Sequence, residues 1–140
     1  MKRYTVICPY CGAEAILKPA NKILGSHAGH AGQQLYVCAN WPACDAYVFA
    51  HRHDTSPMGT LANKELRQKR IQTHNALAAY QTATKMQKWA AYIWLEGKMG
   101  LTEESMHIGL FSPADCDRAI ALLNKELDSY KRSLNGRTAA

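Results

Sequence analysis

The chain has 140 residues, of which 47% are apolar and 20% charged. That balance belongs to a globular protein and excludes a disordered one. No apolar run approaches the roughly 20 residues that cross a bilayer, and the opening Met1-Lys2-Arg3-Tyr4-Thr5-Val6-Ile7 carries no apolar signal core, so a soluble cytoplasmic protein with no membrane partner is expected.

Tyr4-Thr5-Val6-Ile7 reads as a strand leading into Cys8-Pro9-Tyr10-Cys11-Gly12, and Ala13-Glu14-Ala15-Ile16-Leu17 as the strand leaving it. Pro19 to Gly32, with glycines at 25, 29 and 32, reads as a mobile hairpin loop. Gln34-Leu35-Tyr36-Val37 leads into a second cysteine turn, Cys38-Ala39-Asn40-Trp41-Pro42-Ala43-Cys44, and Ala46-Tyr47-Val48-Phe49-Ala50 leaves it. Two cysteine pairs on two tight turns supply four thiolates, the donor set of a closed, tetrahedral, structural zinc site. Cys8, Cys11, Cys38 and Cys44 are therefore the expected ligands of one zinc ion, with Gly12 supplying a positive φ in the first turn. A single iron in a rubredoxin-like site would use the same four sulfurs, and the spacing alone does not separate the two. Disulfides are disfavoured without an oxidising compartment, and a thioredoxin-like redox pair without a βαβ pattern. His27 and His30 read as loop histidines, because four cysteines already complete the tetrahedron. His51 and His53, which follow the last strand, read likewise as exposed histidines, with a phosphate contact beside Arg52 as the alternative.

The Cys8-Pro9-Tyr10-Cys11-Gly12 turn and the Tyr36-to-Cys44 segment resemble the C-terminal zinc ribbons of type IA DNA topoisomerases, over about residues 6–49. The resemblance implies single-stranded DNA binding through aromatic and basic side chains beside the metal. Only Trp41 matches that family's aromatic position in the turn, and no catalytic topoisomerase region is present. The whole chain is also similar to small phage and prophage proteins described as zinc-finger-containing. The shared segments are the two cysteine turns, Gly59-Thr60-Leu61-Ala62 with Leu66-Arg67, and His107-Ile108-Gly109.

Asp54 to Gly59 marks a boundary loop. A helix follows from Asn63, an N-cap, to about Tyr80, with Leu66, Ile71, Leu77 and Ala78 on a broad face beside Arg67, Arg70 and a partly buried, hydrogen-bonded His74. A second helix spans Lys85–Lys98, with Met86, Trp89, Ala90, Ile93 and Gly97 as its core stripe, ending at Gly97 and Gly100. His107 to Phe111 forms a structured link in which His107 caps or hydrogen bonds. The third helix starts at Ser112-Pro113-Ala114-Asp115 and stops at Asn135-Gly136. Its buried stripe is Cys116, Ile120, Leu123, Leu127 and Tyr130, extended by Leu134, with Cys116 an inert thiol.

The fold class is thus α+β: an N-terminal four-cysteine zinc ribbon of two β-hairpins packed with a C-terminal three-helix region. Residues 1–53 form the ribbon, 54–62 a linker loop, 63–136 the helical region and 137–140 a frayed tail. The net charge is +6, and most of the excess lies in the first 80 residues. Four thiolates and Zn²⁺ together carry −2, which offsets the excess of residues 1–50 and leaves the attraction for phosphate mainly between Arg52 and Arg70. The expected function is single-stranded DNA binding without catalysis or a small-molecule substrate. Trp41, Tyr36 and Tyr47 would stack on bases, while Arg52, Lys64, Arg67 and Arg70 would hold phosphates. The rival is a protein-interaction module, a phage regulator or inhibitor docking on a host or defence protein.

Overall fold

A short apolar run with two covered faces gives the chain its most deeply buried strand. In the computed structural model, which describes residues 3–26 and 29–138, strand β2 (Gln34–Cys38) lies between β1 (Ala15–Pro19) and β3 (Tyr47–Phe49). Both pairings are antiparallel, with Tyr36 opposite Leu17 on one side and Val48 on the other. Leu35 and Val37 point to one face, where Ala20, Ile23, Leu24, Trp41, Tyr47 and Phe49 gather. Tyr36 and Cys38 point to the other, with Cys8, Ala46, Ala50 and Leu61. Every β2 residue from Leu35 to Cys38 is buried, as the run Leu-Tyr-Val-Cys requires.

The chain divides into two compact units, Met1–Arg67 and Gln68–Ala140. The first unit departs from the expected pair of hairpins in three places. Tyr4–Ile7 is no full strand: it makes one bridge, Ile7 to Glu14, with Ala15 N–H donating to Val6 O at 2.7 Å. The Pro19–Gly32 connection holds a helical turn, α1 (Ala20–Leu24), seated by the fully buried Ala20; His27 lies outside the described residues. The expected linker is fastened to the sheet. Ala62 and Tyr47 exchange backbone hydrogen bonds at 3.0 and 3.1 Å, Met58 N–H donates to Phe49 O at 2.9 Å, and Leu61 and Ala62 are buried. The free edge of β3 needs these partners, so residues 57–62 serve the ribbon's sheet and are not a spacer between ribbon and helices.

Helix α2 (Lys64–Thr84) starts where expected, with Asn63 Oδ1 accepting Leu66 N–H at 3.0 Å. It continues one turn past Tyr80 and ends at Lys85, whose φ of 57° breaks the helix. Its inward stripe is Leu66, Arg70, Thr73, Leu77 and Tyr80, whereas Ile71, His74 and Ala78 are exposed. The second unit contains the rest of α2 with α3 (Lys88–Met99), a 3₁₀ turn (Ile108–Leu110) and α4 (Pro113–Thr138).

The expected stripe of α3 is reversed. Ala91, Leu95 and Met99 are its buried residues, while Trp89 and Ile93 are 68% and 57% exposed. Gly100, at φ 68°, closes the helix with its N–H on Glu96 and Gly97 carbonyls. Around the 3₁₀ turn, Ile108 and Phe111 are buried, but His107 is exposed and contributes its backbone carbonyl to Leu110 N–H at 2.8 Å, not a side-chain cap. In α4, Cys116, Ala119 and Leu123 are buried and Leu134 is exposed. Burial pushes the Cys116 thiol upward, consistent with an inert side chain. The helix runs through Asn135 and Gly136 because Gly136 lacks the positive φ of a terminating glycine. Of the expected tail, residues 139–140 lie outside the described residues. No described helix is long and apolar enough to cross a membrane.

The start of α4 is a reciprocal cap: Ser112 N–H donates to Asp115 Oδ2 at 3.1 Å and Asp115 N–H to Ser112 Oγ at 3.2 Å. Ser112→Ala removes one of these bonds, and equilibrium denaturation should show a loss of about 1 kcal/mol.

Candidate metal centre

Each cysteine pair sits on a turn that aims two sulfurs at one point. In the first turn, Gly12 N–H donates to Cys8 O at 2.9 Å, Cys8 N–H to Ala13 O at 2.8 Å, and Gly12 has the expected φ of 77°. In the second, Trp41 N–H donates to Cys38 O and Cys44 N–H to Asn40 O, both at 3.0 Å. The four Sγ atoms lie within 4.8 Å of one another, with Cys11–Cys38 at 3.3 Å and Cys8–Cys44 at 3.6 Å. A tetrahedron of sulfurs about 2.3 Å from a central ion has edges of about 3.8 Å, so the spacing fits a four-thiolate site with no open position. It does not fit disulfides, whose sulfurs are about 2.05 Å apart, and all four cysteines are free.

The site carries its own hydrogen-bond donors to sulfur. Asn40 N–H points at Cys38 Sγ and Asn40 Nδ2 at Cys11 Sγ, both at 3.4 Å. The Ala13 backbone N–H first, then the Cys38 thiol and the Asn40 amide, draw the Cys11 thiol down to about 6. Burial drives Cys38 up to about 12 and also raises Cys44. Asn40 is a site residue to which the sequence alone assigned no role. Its position two residues after Cys38, inside the second turn, is the signal that it bonds back to the sulfurs.

The second turn also anchors the start of α2. Asp45 Oδ2 accepts Lys64 N–H at 3.2 Å and lies 3.5 Å from Arg67 Nη2, and Tyr10 Oη accepts Asn63 N–H at 3.1 Å. Arg67 Nη1 donates to the carbonyls of Asp45 and Ala62, each at 2.6 Å, and its guanidinium lies 4.1 Å over the Tyr47 ring. Arg67 is therefore a clamp within the ribbon rather than an open phosphate contact. Arg70 is only 8% exposed and donates from Nε and Nη2 to Phe111 O at 3.2 and 3.0 Å, so it too is withdrawn from the surface. Tyr36 is 4% exposed, its hydroxyl donates to Thr55 O at 2.6 Å, and burial raises its phenol; its ring belongs to the core and offers no stacking face.

The other expected contacts are at the surface. Arg52 and Lys64 are exposed. Trp41 and Tyr47 are half-buried, 5.9 Å apart edge to face, and continue through Phe49 (6.0 Å from Tyr47) to His30 (5.0 Å from Phe49). The structure thus brings Trp41 and Tyr47 together and adds Phe49 and His30 to them, with Arg67 covering one face of Tyr47. His53 lies 3.5 Å from the Asp54 carboxylate, which opposes an anion there.

Two outcomes test the centre. Asn40→Ala removes one N–H···S contact and should weaken metal affinity about tenfold in competition with a chromophoric chelator. Cys38 and Cys44, both raised, must each release a proton on metal binding, whereas Cys11, drawn down by its hydrogen bonds, holds its proton less firmly. Affinity should therefore fall by about a hundredfold or more for each pH unit of acidification, read by the same competition.

No curated protein and no solved structure matches the chain. Residues 4–126 match DUF3268, described as a zinc-finger-containing domain. That span takes in both cysteine turns and most of the helical unit, and the chain belongs to this zinc-finger-containing family.

Proposed function

We propose that the four cysteines hold one structural zinc ion, and that the ribbon organised by it binds single-stranded nucleic acid, DNA in preference, without catalysis. The observation that carries the reading is the row of half-buried aromatic rings Trp41, Tyr47 and Phe49 on one face of the sheet. Unpaired bases stack on such rings for about 1–3 kcal/mol each with little regard to sequence. Because Arg67 lies on Tyr47, Trp41 and Phe49 are the rings that receive bases, and Arg52 and Lys64 attract the phosphates. The zinc supplies no chemistry; it closes the two turns and so fixes where Trp41 stands. Elemental analysis and the absence of colour would identify zinc rather than iron. A reducing, cytoplasmic setting would keep the thiols available to it.

A second reading uses the same rings as anchors for a protein partner, as in a phage regulator or inhibitor of a host or defence protein. The internal engagement of Arg67 and Arg70 favours it, since it leaves fewer cations for phosphate.

Fluorescence anisotropy of the metal-loaded chain with labelled single-stranded and duplex DNA and RNA separates the two. Stacking with two to four phosphate contacts predicts a log–log salt slope of about −1.4 to −2.8 on single strands. Trp41→Ala should weaken that binding about 5- to 150-fold while zinc content stays at one per chain. No binding at low salt with zinc in place would overturn the nucleic-acid reading in favour of the protein partner.

A further inference from the structure

Helix α3 carries two apolar stripes, and only one is used within the chain. Ala91, Leu95 and Met99 are buried. The other stripe is the row Trp89, Ile93 and Gly97, spaced four apart and facing solvent; Trp89 and Ile93 are the most exposed large apolar residues of this helix. Gly97 is an oddity in the same row. It sits inside a helix, where glycine is unfavourable, its φ is not positive, and a Cβ added there would meet nothing within 4 Å. Neither the fold nor the backbone of this chain requires it. A glycine on an exposed helix face does allow another backbone or a large side chain to approach closely.

A parallel row borders the stripe: Lys88, Tyr92 and Glu96, also spaced four apart. The Lys88 ammonium lies 5.9 Å over the Tyr92 ring, and neither Lys88 nor Glu96 has an ion-pair partner among the described residues. The two rows are complementary to themselves when reversed. With a second copy of α3 laid antiparallel, Ile93 meets Ile93, Trp89 covers Gly97, and Lys88 meets Glu96, all about a two-fold axis near residues 92 and 93. The large side chain falls on the bare one and the cation on the anion, as an isologous interface demands.

We infer that the exposed face of α3 is a homodimer interface, in which Trp89 of each copy packs over Gly97 of the other. A parallel arrangement would set the row Lys88, Tyr92 and Glu96 against the apolar row of the partner and leave both charges unpaired, and so is disfavoured. One helix pair buries less than the roughly 1,200–2,000 Å² of a standard interface, so the dimer is weak.

Sedimentation equilibrium of the metal-loaded full chain, from micromolar to near-millimolar concentration, tests this. The wild type should fit a monomer–dimer equilibrium, and Trp89→Glu should remain monomeric throughout with an unchanged far-ultraviolet circular dichroism spectrum. Gly97→Leu should abolish the dimer while raising the melting temperature of the monomer, a pairing of effects that a purely structural glycine would not give. Lys88→Glu and Glu96→Lys should each weaken the dimer several-fold, and their combination should restore it. A wild type monomeric at every concentration would overturn the inference and leave the face to a different protein. A dimer indifferent to both Trp89→Glu and Gly97→Leu would overturn it as well.

Discussion

Four sulfurs converging from two turns are the constraint on which the first unit depends. The three-stranded sheet is short, with five, five and three residues in its strands, and the N-terminal run adds only a single bridge. A sheet this small buries too little apolar area to hold its shape alone, and a four-thiolate metal site supplies the missing cross-link. The same turns do more than bind. Asn40 returns two N–H groups to the sulfurs, Asp45 receives the first turn of α2, and Tyr10 accepts the N–H of Asn63. A change at the metal is therefore transmitted to the sheet through Cys38, which is both ligand and strand residue, and to the helix start through Asp45.

The charged side chains show how a surface property is redirected by local backbone needs. Arg67 and Arg70 belong to the most basic stretch of the chain, yet both guanidinium groups donate to carbonyl oxygens. A planar fork of donors suits such acceptors, and an arginine held this way offers little to a phosphate. The positive potential available to a polyanion thus rests on exposed residues such as Arg52 and Lys64. Binding by the ribbon would then depend more on its aromatic rings than on its charge.

Much of this was legible in the residues, for identifiable reasons. The cysteine turns, Gly12, the Asn63 cap and the Ser112–Asp115 box are local: neighbours in sequence make the geometry, so spacing suffices. Features that depend on partners distant in sequence were not legible. Tyr36 alternates as a strand residue should, but that its side of β2 is covered as well as the other depends on Ala50 and Leu61. The buried stripe of α3 differs from the expected one because the helix has two rows at helical spacing, and periodicity cannot choose between Trp89-Ile93-Gly97 and Ala91-Leu95-Met99. The segment 57–62 carries loop residues, and only the open edge of β3 explains its place on the sheet. Lys85 stops α2 with a conformation that its side chain does not advertise.

The central claim is that the metal organises the ribbon, and amide hydrogen exchange with and without a strong chelator tests it most directly. The account predicts that metal removal collapses protection in β2 and β3 and at the Asn63 end of α2, whereas Cys116 to Leu123 in α4 keeps the protection of its own buried core. Strands that remained equally protected after the metal was stripped would contradict it, and would make the four cysteines a passenger on a fold held by packing alone.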